Sequence, residues 1–230
     1  MSDVQHRPLT SLQSVILTTG PFIFLWTSLR NHIQRNGAIS FARTTTKLNN
    51  EIYSIFSFAL GGLILNDVFQ FYPLDDTIKT NDIAYIYHLS KFYEYTDIFN
   101  LVAGGKVIGP HMAFHHLTTP FLTHFRVLNA TDWQVFAFLN CVHHFWLYAY
   151  LGGVGLFRPI LPVTGWLQLV AGIAVDVLWL FQNGKSENPE ATNRLISVLL
   201  LTRYAMLYYE HLKKGGTQDP SEGNVDGKKE

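Results

Sequence analysis

The chain has 230 residues, of which 48% are hydrophobic and 14% aromatic, while only 15% are charged. Soluble domains average about 25% charged residues, so the shortage points to a protein that lives in a bilayer. Formal net charge is zero, which gives no basis for nucleic-acid binding, and the single cysteine, Cys141, excludes an intramolecular disulfide or a zinc site built on several thiolates.

A spanning helix needs about 20 mostly apolar residues. Seven stretches are candidates: 12–29, 52–71, 83–102, 111–128, 133–154, 162–182 and 194–210. The expected fold is an all-α polytopic membrane bundle of seven transmembrane helices over 12–212, after a short N-terminal segment, 1–11. Residues 213–230 are polar, charged and Gly-rich and read as a disordered tail. The second, fifth and sixth stretches span on hydrophobicity alone. The third reads LSKFYEYTDIFNLV and places Lys91, Glu94 and Asp97 in an apolar run; the fourth holds His111, His115, His116 and His124. Such groups must face a protein interior or an aqueous cavity if the segment spans, which marks these two as the functional helices.

Loop charge gives an orientation. Arg30, Arg35, Arg43, Lys47, Lys106, Arg158, Lys213, Lys214, Lys228 and Lys229 fall on one side, against Arg7, Lys79, Arg126, Lys185 and Arg194 on the other. The richer side belongs in the cytosol, with the C-terminus, and the N-terminus lies across the membrane.

Three polar stretches carry the chemistry. In SKFYEYTD, Lys91 and Glu94 stand three apart on a helix and can pair, with Asp97 on the next turn. In HMAFHH, His111 and His115 share a face while His116 is rotated by about 100°. Neighbouring imidazoles suit metal binding or acid–base chemistry. In NCVHHFWLYAY, Asn140, His144 and Tyr148 form one stripe and His143 points elsewhere. Cys141 beside them is a small apolar filler by default.

These stretches, in this order, resemble the boxes of the ELO family of very-long-chain fatty acid elongases. The first box, Lys-x-x-Glu-x-x-Asp-Thr, is kept at Lys91, Glu94 and Asp97, with Ile98 for Thr. The third, Asn-x-x-x-His-x-x-Met-Tyr-x-Tyr-Tyr, is kept at Asn140, His144, Tyr148 and Tyr150, with Leu147 and Leu151 substituted. In the His-x-x-His-His box, His115 and His116 match and Met112 replaces the first histidine; a one-residue bulge near Pro110 would bring His111 into its place. A fourth box keeps only Gln168, with Ala171 at its second glutamine.

The resemblance implies a condensing acyltransferase that joins a long-chain acyl-CoA to malonyl-CoA, giving 3-oxoacyl-CoA, CoA and carbon dioxide, with no cofactor and no metal. His115 would carry the acyl group, and His116 and His144 would position, polarise or move protons. Lys91, Glu94, Asp97, His111, Asn140, Tyr148 and Gln168 would bind and orient. Unperturbed imidazole titrates near 6.5, so it is substantially neutral and nucleophilic at physiological pH. Further implications are an acyl tunnel between helices, membrane lipid contacts, residence in the endoplasmic reticulum membrane, and as partners a second copy or the reductases and dehydratase of the elongation cycle. Three other readings compete: a histidine-box di-iron oxygenase, an elongase-fold acyl-CoA-binding protein without turnover, and a proton-coupled carrier.

Overall fold

The computed structural model describes residues 6–71, 79–183 and 188–214, and every regular element among them is helical. Eight α-helices follow in order: α1 (Leu12–Asn36), α2 (Ala42–Phe69), α3 (Thr80–Tyr93), α4 (Tyr95–Ala103), α5 (Pro110–Thr123), α6 (Gln134–Leu151), α7 (Leu161–Asn183) and α8 (Pro189–Lys213). A π-helical turn, His124–Leu128, extends α5, and a 3-10 turn, Gly155–Ile160, leads into α7. Most of the tail expected at 213–230 lies outside the described residues.

Local chemistry sets the helix ends. The Ser11 hydroxyl oxygen caps α1 by accepting the Ser14 N–H at 3.1 Å, and Gly37, at φ 83°, ends it in a conformation that side chains resist. Pro110 and Pro189 open α5 and α8 at the first helical position, where no N–H is required. The 30–51 loop expected from sequence shrinks to residues 37–41, because Arg30, Arg35, Arg43 and Lys47 sit on the extended ends of α1 and α2.

Leu12–Asn36, Ala42–Phe69 and Gly155–Asn183 are long and apolar enough to cross a membrane. They coincide with the first, second and sixth expected spans. The fifth, α6, is 18 residues long and includes Asn140, His143 and His144. The third expected span is broken: Glu94 separates α3 from α4 and caps both with helical backbone angles (φ −58°, ψ −16°). The outer surface is greasy. Leu17, Phe24, Ile55, Phe58, Val163 and Phe181 are between 64% and 86% exposed, an apolar surface suited to lipid.

The interior packs where side chains are small. On α2, Gly61 meets Cys141 of α6, whose Cβ would lie 3.3 Å from a Cβ at the glycine. Gly172 of α7 is wedged between Phe136 of α6 and Leu201 of α8, and Gly165 lies under the Tyr208 ring. Small residues let membrane helices approach closely. Phe22 of α1 stacks on Tyr95 of α4 at 3.8 Å between ring centroids.

The end of the bundle holding the α6 N-terminus is stapled by buried charge. Asp176 Oδ1 lies 2.6 Å from Arg126 Nε and 3.1 Å from Arg194 Nη1, and its Oδ2 accepts the Ser197 hydroxyl at 2.6 Å. Both guanidinium groups also donate to the Thr131 carbonyl. Arg126 and Arg194 are therefore structural ions rather than free loop charges. At the same end, Leu9 and Thr10 carbonyls are held by His88 Nε2 and His124 Nδ1, each at 2.8 Å, and Arg7 pairs with Asp82 at 2.6 Å. These contacts tie the N-terminal segment across α3 and the α5 end.

Removing Asp176 leaves two buried guanidinium groups without their shared counter-ion. Asp176→Ala is expected to cost about 3–5 kcal/mol, measured as unfolding in detergent; Gly172→Ala, which overpacks the α6–α7–α8 contact, costs about 1–3 kcal/mol.

Candidate active site

The break at Glu94 points polar groups into the bundle centre. Lys91 Nζ donates to Glu94 Oε1 at 2.6 Å, three residues on as the spacing predicts, and the two side chains are only 3% and 0% exposed. A buried pair survives only when its remaining hydrogen-bonding capacity is met, and neighbouring helices meet most of it. Lys91 also donates to Asn140 Oδ1 at 2.8 Å, while Tyr53 of α2 donates its hydroxyl to Glu94 Oε1 at 2.7 Å.

Asn140 is the hub. Its Oδ1 takes a second bond from the Tyr87 hydroxyl at 2.7 Å, and its amide donates to Gln168 Oε1 at 2.7 Å and to His144 Nε2 at 3.3 Å. With His144 Nε2 accepting, Nδ1 carries the proton and faces Glu94 Oε1 at 3.2 Å. The surrounding donors and acceptors thus fix both the amide orientation and the neutral tautomer.

His115 is held differently. Its side chain keeps 23% exposure, and its Nε2 lies 4.0 Å from Glu94 Oε2, a buried carboxylate oxygen without a hydrogen-bond partner. The His115 ring centroid is 6.5 Å from that of His144 and 5.4 Å from that of His116. His116 is buried with Nδ1 unpartnered, and His143 turns toward α7 to meet Thr164 Oγ1 at 2.9 Å. Around Glu94 there is one reachable imidazole, one fixed imidazole, and a carboxylate oxygen with capacity to spare.

Asp97 stands apart from this centre. It accepts the Tyr148 hydroxyl and, on its other oxygen, the Asn49 amide at 2.9 Å. Tyr53 joins the two groups, its ring set edge-to-face on Tyr148 at 4.6 Å. Asp97 and Tyr148 therefore brace the wall behind Glu94, where the Tyr148 ring also meets His144 edge-to-face at 5.5 Å.

The displaced histidine is not restored by a bulge. α5 is regular α-helix from Pro110 through His116, and the π-turn lies downstream at 124–128, after Pro120 removes a backbone donor. Met112 turns toward the α1–α4 cluster with Phe22 and Ile98. His111 stays on the His115 face, as its four-residue spacing requires, at 6.0 Å between centroids.

The model for the ELO: GNS1/SUR4 family matches residues 7–215 of this chain. The chain belongs to the ELO family. Membership associates this ELO protein with fatty acid elongation and lipid biosynthesis, and its apolar helices fit a membrane protein. No individual curated protein matches it.

Several members of this polar network were invisible in the sequence. Asn49, Tyr53, Tyr87 and Thr164 lie outside the boxes, and each is an ordinary residue until folding sets it against one. Tyr87 had the clearest signal, being one turn before Lys91. Glu94, His115 and His144 also present donor atoms within 4.8 Å of one another, a spacing a metal could use. Here Lys91 already supplies the positive charge beside that carboxylate. Two described cavities, about 240 Å³ beside Trp133 and about 160 Å³ between Trp26 and Lys106, lie away from the histidines, so neither is the acyl tunnel that the resemblance implies.

The ion pair should behave as one unit. Lys91→Met and Glu94→Gln are each expected to cost about 3–5 kcal/mol. The double variant costs less than the sum, by about 0.5–3 kcal/mol, in a denaturant double-mutant cycle.

Proposed function

We propose that this ELO-family protein is a condensing enzyme, joining a long-chain acyl-CoA to malonyl-CoA to give 3-oxoacyl-CoA, CoA and carbon dioxide. The single observation that carries the reading is the partly exposed His115 imidazole facing a buried, unpartnered Glu94 oxygen at 4.0 Å. A neutral imidazole attacks the thioester carbonyl, the C–S bond breaks, and CoA leaves with the proton that the ring gives up. Glu94 Oε2 accepts the imidazole proton as the acyl group arrives and passes it to the departing CoA sulfur. Malonyl-CoA then loses carbon dioxide, and the enolate attacks the acyl carbon and frees His115.

The other residues take supporting roles. His144, locked between Glu94 and Asn140, polarises the reacting carbonyl, and His116 borders the same space. Lys91 neutralises Glu94, Asn140 and Gln168 set the tautomer of His144, and Asp97 with Tyr148 holds the wall. Preorganised dipoles of this kind act strongly because they need no rearrangement during the reaction. The coenzyme A phosphates meet Arg43, Lys47, Lys106, Arg158 and Lys213, all near the end where α2, α5 and α7 begin.

In this reading the protein crosses the endoplasmic reticulum membrane seven times, α3 and α4 forming one interrupted crossing. The N-terminus is lumenal and the C-terminus cytosolic, in keeping with the excess of Lys and Arg on the C-terminal side. A second copy and the reductases and dehydratase of the cycle are its partners, and the membrane supplies lipid around the outer faces.

Purified protein given radiolabelled malonyl-CoA and acyl-CoA of graded length is expected to form 3-oxoacyl-CoA. His115→Ala should lower turnover by at least about 10²-fold, and mass spectrometry should find the acyl group on His115. Acyl-CoA binding without product would instead make this a binding protein on an elongase fold. Two irons per chain would favour the oxygenase.

A further inference from the structure

Resting on the condensation reading, we propose that His211 and His111 form a proton path that carries one solvent proton per turnover from the cytosolic end of α8 to His115. Imidazole rings run in file from the surface inward. His211, exposed at the end of α8, stacks on His111 with centroids 5.6 Å apart and planes 19° from parallel. His111, half-buried at the start of α5, stacks on His115 at 6.0 Å and 28°. His115 meets His144 at 6.5 Å, and His144 ends on Glu94. Exposure falls along the file from open surface to fully buried carboxylate.

A neutral imidazole has a donor nitrogen on one side and an acceptor on the other, so a file of them passes protons without any ring leaving its place. Spacings of 5.6–6.5 Å suit one bridging water or a ring flip between neighbours. The groups facing His111 are His115 and His116 on its own helix, Tyr208 and His211 on α8, with His143 nearby on α6. Among the described residues no carboxylate or ammonium faces His111, while Glu210, Lys213 and Lys214 lie near His211 at the exposed mouth of the file.

The reaction needs such a supply. In the first half the imidazole proton leaves with CoA, so loading is balanced within the site. In the second half malonyl carboxylate departs as neutral carbon dioxide, the C–C bond forms, the C–N bond to the ring breaks, and the ring departs one proton short. That proton comes from water. His111, displaced by one residue from the family position and turned toward α8, stands where it would pass.

The test uses the full chain in detergent or liposomes, with palmitoyl-CoA and malonyl-CoA as probes. In His211→Ala and His111→Ala the His115 acyl adduct and the stoichiometric burst of CoA are expected to persist, while 3-oxoacyl-CoA turnover falls by about tenfold or more. Free imidazole should restore turnover, and the solvent isotope effect should rise above that of the unaltered protein. Because His211 is exposed, its replacement tests the file without disturbing packing. Unchanged turnover in both variants, or a loss that imidazole does not restore, overturns the path while leaving condensation standing. An unaltered protein that forms neither adduct nor product removes the condensation reading and the path together.

Discussion

Everything at the centre of this bundle depends on one ion pair kept out of water. Lys91 and Glu94 would each be expensive to bury alone, and the chain makes them tolerable by breaking a helix at Glu94 and converging four neighbours on the pair. Tyr53 comes from α2, Tyr87 from α3, Asn140 and His144 from α6, and Gln168 reaches Asn140 from α7. The demand for satisfied hydrogen bonds thus becomes a demand for one arrangement of helices. What the network leaves over is equally informative: Glu94 Oε2 is unpartnered, and the imidazole facing it, His115, is partly exposed.

The rest of the molecule keeps that centre in register with little help from water. Its outer faces are apolar, so helix association relies on close packing and internal polar staples rather than on expelling solvent. Gly61, Gly165 and Gly172 bring α2, α6, α7 and α8 near enough for Asn140 to reach Gln168. At the far end, Asp176 with Arg126 and Arg194 clamps the π-turn to α7 and α8, and the N-terminal segment lies across two histidines. One end is tied down by charge; the other presents His211, Lys213 and the start of α5.

Much of this was legible in the sequence, and the reasons it was not all legible are physical. Helical spacing foretold the Lys91–Glu94 pair, the His111–His115 face and the Asn140–His144–Tyr148 stripe, because these depend only on 3.6 residues per turn. Hydrophobicity foretold the helices but not their ends: α1 and α2 run on through charged residues that their apolar centres carry along. It also missed the break at Glu94, since no proline or glycine announces it. Arg126 and Arg194 look like loop charges until Asp176, far along the chain, is folded against them. Tyr53 and Asn49 belong to the site only through contacts some forty residues away. No bulge forms at Pro110, so His111 stays one residue from the first position of the box while sharing a face with His115.

The central claim is that polar side chains from separate helices converge on the Lys91–Glu94 pair and that His115 is the imidazole there a fatty thioester can reach. Histidine footprinting with diethylpyrocarbonate, read residue by residue by mass spectrometry, tests it most directly. Among His115, His116, His143 and His144, modification should fall first on His115 and be suppressed by a long-chain acyl-CoA. Modification of His144 or His116 ahead of His115, or labelling of His115 that acyl-CoA leaves unchanged, would contradict it.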